Sequence, residues 1–358
     1  MVAEIDAVIT WVDGNDRAHR KKREQALALA GYRKDEPTNA TYETRFANQG
    51  EIYYCIASIL KYAPFIRRIY IVTDGQIPAH ILDFAKSGLC GAEKIQIVDH
   101  RRIFRGYEEF LPTFNSLTIE SMLWRIPGLA ETFLYFNDDV FLNAPLSVSD
   151  LVSDEGKLVV YGRLRSIYPL TIKHHLRKLR CHLAGGKIPS AHFKTAQAHS
   201  ARLLGLGQYI EIGHIPHVMR RSAFANFSKS NPDLLKKQLE PKFRTIDQFS
   251  PVGLSNHYEF TCGNIELRPR SDGAYLKPRD AGQKRLSLIA AEKELFGCVQ
   301  SLDEFSRGDL EAFRNTMLKK FGAYMPRTAM TWMDNLDNRA ASRQPEFEGS
   351  VVPVGQTA

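Results

Sequence analysis

No apolar run in the chain approaches the roughly 20 residues that a membrane-spanning helix requires, so no transmembrane anchor is expected within it. There is no C-x-x-C, and the five cysteines (Cys55, Cys90, Cys181, Cys262, Cys298) are scattered and odd in number. They read as free thiols in a reducing compartment, not as a disulfide framework or a zinc site. Neither G-x-G-x-x-G nor G-x-x-x-x-G-K-[ST] occurs, so a dinucleotide fold or a P-loop lacks its phosphate-binding signature. The amino terminus enters EIDAVITWV without a basic stretch or a cleavage motif. No secretory signal is therefore expected, and a cytoplasmic enzyme is the default.

The sharpest deficit is of one charge sign. Between Glu155 and Glu211 there is no Asp or Glu, yet the interval carries ten cations: Lys157, Arg163, Arg165, Lys173, Arg177, Lys178, Arg180, Lys187, Lys194 and Arg202. In a chain of net charge +8 that still holds 40 acids, such a block suggests a surface facing a polyanion. A phosphorylated polymer or an anionic lipid suits it, and a solvated helix face is the plain alternative. No nucleic-acid-binding module accompanies the block, so nucleic acid is not expected as a partner.

What the chain does have is a series of apolar, β-branched segments that end in acid. IDAVITWV stops at Asp13-Gly14, RRIYIVTD ends at Asp74-Gly75, and KIQIVDH ends at Asp99-His100. Helical stretches (17–30, GEIYYCIASILKYA, one opened by Pro78, SLTIESMLWRI) separate them. Alternating strands and helices predict a parallel α/β sheet with its polar edge at the strand carboxyl ends. FLYFNDDV (133–140) is the most informative case, because a buried strand runs straight into Asn137, Asp138 and Asp139. Unpaired carboxylates are costly to desolvate, and an acidic pair at such an edge suits a divalent metal held against phosphates. A solvated Asx turn is the competing reading.

Asp6, Asp13, Asp16, Asp74, Asp99, His100, Asp138 and Asp139 lie at or near strand ends, where converging acids can hold magnesium or manganese with a diphosphate. Asp13-Gly14 and Asp74-Gly75 are also ordinary turn formers, and Asp99-His100 is either a paired acid and base or a strand end. Beyond residue 160 the pattern turns helical and basic. HIPHVMRR (214–221) would place two imidazoles three residues apart on one helical face, for proton transfer or as structural histidines. In KFRTID, Arg244 can fork onto a phosphate and Asp247 can reach a cation. ELRPRSDGAYLKPRD reads as a connector or hairpin, and 281–335 as helical. The expected partition is 1–160 for an α/β nucleotide-binding part, 161–207 for a basic helical insertion, 208–340 for a completing, helical part, and 341–358 for a flexible tail.

The strings IDAVITWVDGND, RRIYIVTDGQIP, IVDH, LPTFNSLTIE, RIPGLAETFLYFNDDVF, GHIPHVMRRS and KFRTID, in this order, resemble the Stealth family of hexose-phosphate transferases. The likeness runs almost without gaps over 4–145 and more loosely over about 208–250. It implies a mixed-sheet fold, Rossmann-like or of glycosyltransferase A type, and a UDP-sugar donor. The sugar 1-phosphate, an N-acetylhexosamine 1-phosphate in the first instance, would pass to a hydroxyl of a growing capsular polysaccharide with release of UMP. A metal-dependent glycosyltransferase releasing UDP, or a non-catalytic polyanion-binding protein, are the alternatives.

The family's functional positions fall on Asp6 and Trp11, Asn115 and Glu120, Asp138 and Asp139, and His214 and Arg244, with Asp247 close behind. His214, Arg244, Asp6 and Glu120 are assigned to catalysis, Trp11, Asp13, Asp74 and Asn115 to the donor, and Asp138, Asp139 and Asp247 to Mg2+ or Mn2+. A phosphodiester-linked polysaccharide acceptor and peripheral contact with the inner membrane or export machinery are the expected partners. FGCVQSLDEF (296–305) stands where the family's fourth region would carry an Asn-Asp pair, and lacks it.

Overall fold

The computed structural model describes residues 4–31, 42–183, 192–278 and 283–341. Lys187 and the tail beyond residue 341 lie outside them. Strand β1 (Ile5–Thr10) leads to helix α1 (Arg17–Leu29), whose first turn is capped by the Asp16 carboxylate. Helix α2 (Glu51–Tyr62) follows, with ten of its 12 residues buried, so it is a core helix and not a surface one. Strand β2 (Ile69–Thr73), short helix α3 (Asp83–Lys86), strand β3 (Ile95–Asp99) and one-turn α4 (His100–Ile103) complete the first half of the sheet. Helix α5 (Ser116–Glu120), capped by Asn115, precedes strands β4 (Thr132–Asn137) and β5 (Val140–Leu142).

Then come β6 (Leu158–Ser166), α6 (Tyr168–Leu183), α7 (Phe193–Leu203), β7 (Gln208–Ile212) and β8 (His217–Arg220). Helices α8 (Arg221–Ser230), α9 (Pro232–Leu239) and α10 (Pro251–Thr261) are followed by β9 (Ile265–Arg268) and β10 (Ala274–Leu276). Helix α11 (Gln283–Ala290), strand β11 (Phe296–Val299), α12 (Arg307–Phe321) and α13 (Arg327–Ala341) close the chain. No helix among the described residues is long and apolar enough to cross a membrane.

The architecture is the expected mixed α/β one. The main sheet has the order β3-β2-β1-β4-β8, with the first four strands parallel and β8 antiparallel. Its strands are apolar on both faces because both faces are covered, which explains their unbroken hydrophobic runs. Alternation sorts their side chains into two cores. Ile5, Ala7 and Ile9 of β1, Ile69 and Ile71 of β2, and Leu134 and Phe136 of β4 pack with α2, α12 and α13. Val8, Tyr70, Val72, Phe133 and Tyr135 face the other way, against residues of α8, α9 and α10.

Pairing of Thr10 with Val72 and with Asn137, and of Thr73 with Asp99, brings the four carboxyl ends side by side. Two three-stranded sheets flank this edge, β10-β11-β5 and β7-β6-β9.

Three expectations change. The 160/161 boundary falls inside β6, which pairs with both β7 and β9 and so joins the parts it was to separate. HIPHVMRR is not helical: His217 begins β8, recruited as an edge strand beside β4. The 208–340 part is mixed, and ELRPRSDGAYLKPRD is no hairpin, because β9 pairs with β6 and β10 with β11.

Candidate active site

A cleft of about 850 Å3 opens at the carboxyl edge of the main sheet. It is lined by Trp11, Asp74, Glu120, Asp138, Asp139, His214 and Arg244 among the expected residues. The tandem acids occupy the turn between β4 and β5. The turn is held on one side by the Thr10, Tyr135 and Asn137 side chains, with Tyr135 Oη donating to Asn137 Oδ1 at 2.9 Å. On the other side β5 pairs with β11, and the Val299 amide donates to the Asp139 carbonyl at 2.9 Å. The carboxyl-terminal segment therefore contributes to the cleft despite its missing Asn-Asp pair. Gln300, Ser301 and Asp303 line the wall, and Cys298 Sγ lies 3.8 Å from Asp139 Oδ2.

These acids are short of counter-charge. Burial first, then the neighbouring Asp139 and Glu51, pushes the Asp138 carboxyl well above its usual range. Burial also raises Asp139 to about 6 and Glu51 to about 7. Asp139 Oδ1 is buried without a hydrogen-bond partner. Among the described residues no group of three or more His, Cys, Asp or Glu side chains is arranged to hold a metal. Two tandem carboxylates nevertheless fit magnesium, which takes one or two protein carboxylates and completes its shell with phosphate and water oxygens. The unpartnered Asp139 Oδ1 leaves an acceptor on that turn that such an ion would satisfy.

Cations crowd the same cleft. Arg244 comes from the 241–248 loop, which the Phe114–Phe243 stack (5.5 Å, 15°) and the Phe114 amide to the Lys242 carbonyl hold against α5. Its guanidinium donates to Ser116 Oγ. The Arg45 guanidinium is held down to about 9, by burial first and by the charge of Arg244 second. Lys277 is on the same wall. Two guanidiniums in mutual repulsion, one of them bearing on the under-neutralised Asp139, make this cleft a candidate site by its charge distribution. Glu120, also buried, is raised by that burial, against the opposing pull of Arg244, Ser116 and Tyr135.

His214 is stacked between Phe193 (4.5 Å, 19°) and Tyr275 (5.5 Å, 9°). Burial, then the Lys277 charge, lowers it to about 4, so the imidazole is neutral across physiological pH.

Four expected residues do other work. Asp6 stands at the amino end of β1, four residues or about 13 Å from the strand's carboxyl edge. There it is fully buried, takes Arg67 Nε at 2.9 Å and Nη2 at 2.7 Å, and accepts from the Ala130 amide at 2.7 Å. Asp6 ties strands together and does not reach the reacting groups.

Asp13 closes an Asx turn to the Asn15 amide at 2.9 Å and is not on the cleft wall. Asn115 caps α5 and donates to Gln248 Oε1 at 2.8 Å and to the Pro241 carbonyl at 3.1 Å, so it positions the Arg244 loop from behind. Asp247 does not line the cleft and is paired instead with Lys178 (2.8 Å) and His174 (3.6 Å), apart from the tandem acids it was grouped with. Asp74 remains on the wall, in an ion pair with Lys22 at 2.9 Å.

Sequence reasoning missed Arg45, Glu51, His19 and Thr113. The first two flank an unremarkable turn, and only the fold carries them to the acids. At the β1–β3 end of the cleft, Trp11 Nε1, His19 Nδ1, His100 Nδ1 and Thr113 Oγ1 are buried without hydrogen-bond partners. Asp99-His100 reads from sequence as a paired acid and base or a strand end; in the structure the Asp99 carboxylate caps α4 through the Arg101 amide, and His100 lines the cleft. The basic interval is also partly spent. Five of its cations have acidic partners within the protein: Lys157 on Glu155, Lys178 on Asp247, and Arg163, Arg165 and Lys194 on Glu211.

Comparison with known proteins gives consistent matches. Residues 4–29 match Stealth protein CR1, conserved region 1, and residues 45–160 match Stealth protein CR2, conserved region 2. An exopolysaccharide phosphotransferase of Streptomyces coelicolor is 35% identical over 252 residues, 69% of this chain and 42% of that protein. A capsular polysaccharide phosphotransferase of Actinobacillus pleuropneumoniae is 39% identical over 165 residues, 46% of this chain and 42% of that one. The chain thus spans less than half the length of these two relatives. Among solved structures, the apo bifunctional glycosyltransferase WbbM overlays with a TM-score of 0.47 at 9% identity, over 95% of this chain and 52% of that one.

Proposed function

The chain belongs to the Stealth family, and from that premise we propose that it transfers a sugar 1-phosphate from a UDP-sugar to a hydroxyl of a capsular or exopolysaccharide chain, releasing UMP. The observation that carries the proposal is the meeting of Asp138, Asp139, Arg244 and His214, far apart in the chain, on one cleft wall. An N-acetylhexosamine 1-phosphate is the proposed group, and a growing polymer with a phosphodiester in each repeat the proposed acceptor.

In this reading the nucleoside enters the β1–β3 end, where the unpartnered Trp11, His19, His100 and Thr113 groups satisfy the polar edges of base and ribose. The diphosphate lies between the tandem acids and the two guanidiniums. A Mg2+ or Mn2+ ion held by Asp138 and Asp139 supplies charge neutralisation on the diphosphate oxygens. Arg244 forks onto the equatorial oxygens of the sugar-proximal phosphorus, and Arg45 supports it. The acceptor oxygen forms a bond to that phosphorus, the bond to the UMP oxygen breaks, and the anomeric C–O bond stays intact.

The acceptor's proton goes to His214. This imidazole is already neutral, and a diphosphate beside it opposes the burial effect and raises its basicity toward working pH. Such a reaction depends on positioning and charge more than on covalent work by the protein.

Product analysis tests the proposal. With UDP-N-acetylglucosamine and a short phospho-oligosaccharide primer, phosphorus NMR should show UMP and a new phosphodiester. UDP with a plain glycoside would instead make the protein a metal-dependent glycosyltransferase, and no turnover of any UDP-sugar would leave only polyanion binding. The His214→Ala variant should lose about 10²-fold in kcat with donor affinity little changed. An unchanged kcat removes His214 from the base role.

A further inference from the structure

Among the described residues, helix α6 packs against a partner on one face, and the opposite face is apolar and exposed. Its inner face, around the buried His174, packs on α7. On the outside Tyr168, Ile172, Leu176, Leu179 and Leu183 are 66%, 60%, 50%, 54% and 76% exposed. At about 100° per residue these five fall within about 80° of the helical wheel, on the side opposite His174. The stripe runs along a helix about 24 Å long. Soluble proteins scatter exposed leucines singly, and a continuous row of large ones marks a contact surface.

The charges beside the stripe say what it contacts. Exposed Lys173 and Arg180 flank one side, and exposed His175 and His182 the other. No Asp or Glu occurs between Glu155 and Glu211 to offset them. A second copy of the helix would set these cations against their like. A phosphodiester polymer would satisfy the cations but leave five apolar side chains in water. An anionic bilayer satisfies both, with apolar side chains in the headgroup–acyl boundary and cations at the phosphates.

We infer that α6 is an interfacial membrane helix, lying in the plane of an anionic lipid surface with the Tyr168–Leu183 stripe inward. The contact also sets where the cleft sits. His192 and Phe193, at the start of α7, line the cleft, and Lys178 and His174 of α6 hold Asp247, three residues from Arg244. The cleft therefore stands beside the lipid surface. This inference is independent of the reaction proposed above, since turnover of a soluble donor and primer does not require lipid.

The test is flotation of the full chain with vesicles of phosphatidylcholine alone or mixed with phosphatidylglycerol. The protein should float with the mixed vesicles, and added salt should reduce the floated fraction. The triple variant Ile172→Glu, Leu176→Glu, Leu179→Glu should lose about tenfold or more in vesicle affinity. Because such a helix could be disturbed, the variant Lys173→Ala, Arg180→Ala gives a second reading: about fivefold or greater loss, with circular dichroism unchanged.

A wild-type chain that stays with the unbound fraction overturns the inference, as does a triple variant that floats like wild type. Two further outcomes also overturn it. One is a dimer in light scattering that the triple variant dissolves while flotation persists. The other is loss of polyphosphate binding in that variant with flotation unchanged.

Discussion

Two regions of this protein bury acid in the company of cations, and they end in opposite electrostatic states. Glu211, 2% exposed at its side chain, receives Arg163 at 2.7 Å, Lys194 at 2.5 Å, Arg270 at 3.0 Å and Arg165 at 3.5 Å. Burial alone would raise its pKa, but hydrogen bonds from Lys194 and Arg163 and the charge of Arg270 bring it down to about 2. Asp138 and Asp139 are surrounded by protein as well, yet they are pushed upward and one oxygen has no partner. The first cluster is complete in itself. The second is left under-neutralised, and that difference separates a structural acid from a candidate site.

The comparison breaks most sharply at Asp139. Asp139→Asn should reduce transfer by about 10³-fold or more, because a charge on the reacting phosphates is lost. Folding stability should hold or rise, since a neutral amide removes an under-neutralised carboxylate. Activity near wild type together with a lowered unfolding midpoint would place Asp139 with Glu211 as structural.

The same contrast predicts a ligand response. Manganese at about 100 times its dissociation constant should stabilise the wild-type chain by about 2.7 kcal/mol in urea unfolding. The Asp138→Asn, Asp139→Asn double variant should show no such gain, and Glu211→Gln should keep it. Equal responses in all three would put the cation elsewhere. Glu211→Gln itself should cost about 2 kcal/mol of stability, below the usual figure for breaking a buried pair because its cations are half exposed. Its kcat should stay within about twofold of wild type, since Glu211 touches no part of the cleft wall.

What could be read from the sequence follows the same physical division. The parallel strands were legible because each is a β-branched run stopped by an acid, and NDD stood out because charge interrupts a buried strand. Asp6 illustrates a rule applied to the wrong end. Ligands gather at strand carboxyl ends, and Asp6 is the second residue of β1, where an ion pair to Arg67 is the natural outcome.

The pairing of β5 with β11, more than 150 residues apart, left no local trace, and neither did the arrival of Glu51 beside the acids or of Arg45 beside Arg244. His217 was misjudged because i, i+3 spacing is helical only if the segment is a helix, and β4 had an open edge to fill. The acid-free interval was read as one surface, whereas β6 sends Arg163 and Arg165 to Glu211, α6 pairs Lys178 with Asp247, and Lys173 and Arg180 are exposed.

The smallest effect tests whether the histidine on the cleft wall takes part in the chemistry. His214 is lowered to about 4 by burial between Phe193 and Tyr275, then by Lys277, with Arg244 and Arg270 adding to Lys277 and Asp272 opposing them. A base must be neutral to accept a proton, so kcat/KM should fall as pH drops through the free-enzyme pKa of His214. Lys277→Met removes a positive charge that disfavours the imidazolium. The pKa should rise, and the acidic limb of kcat/KM should move to higher pH by about half a unit. Glu211→Gln frees the charge of its partner Arg270, which also lowers His214, so it should move the limb the opposite way, to lower pH. A limb that ignores Lys277 belongs to another group, and the base would then be sought at Glu120, a cleft carboxyl that burial raises above its usual range.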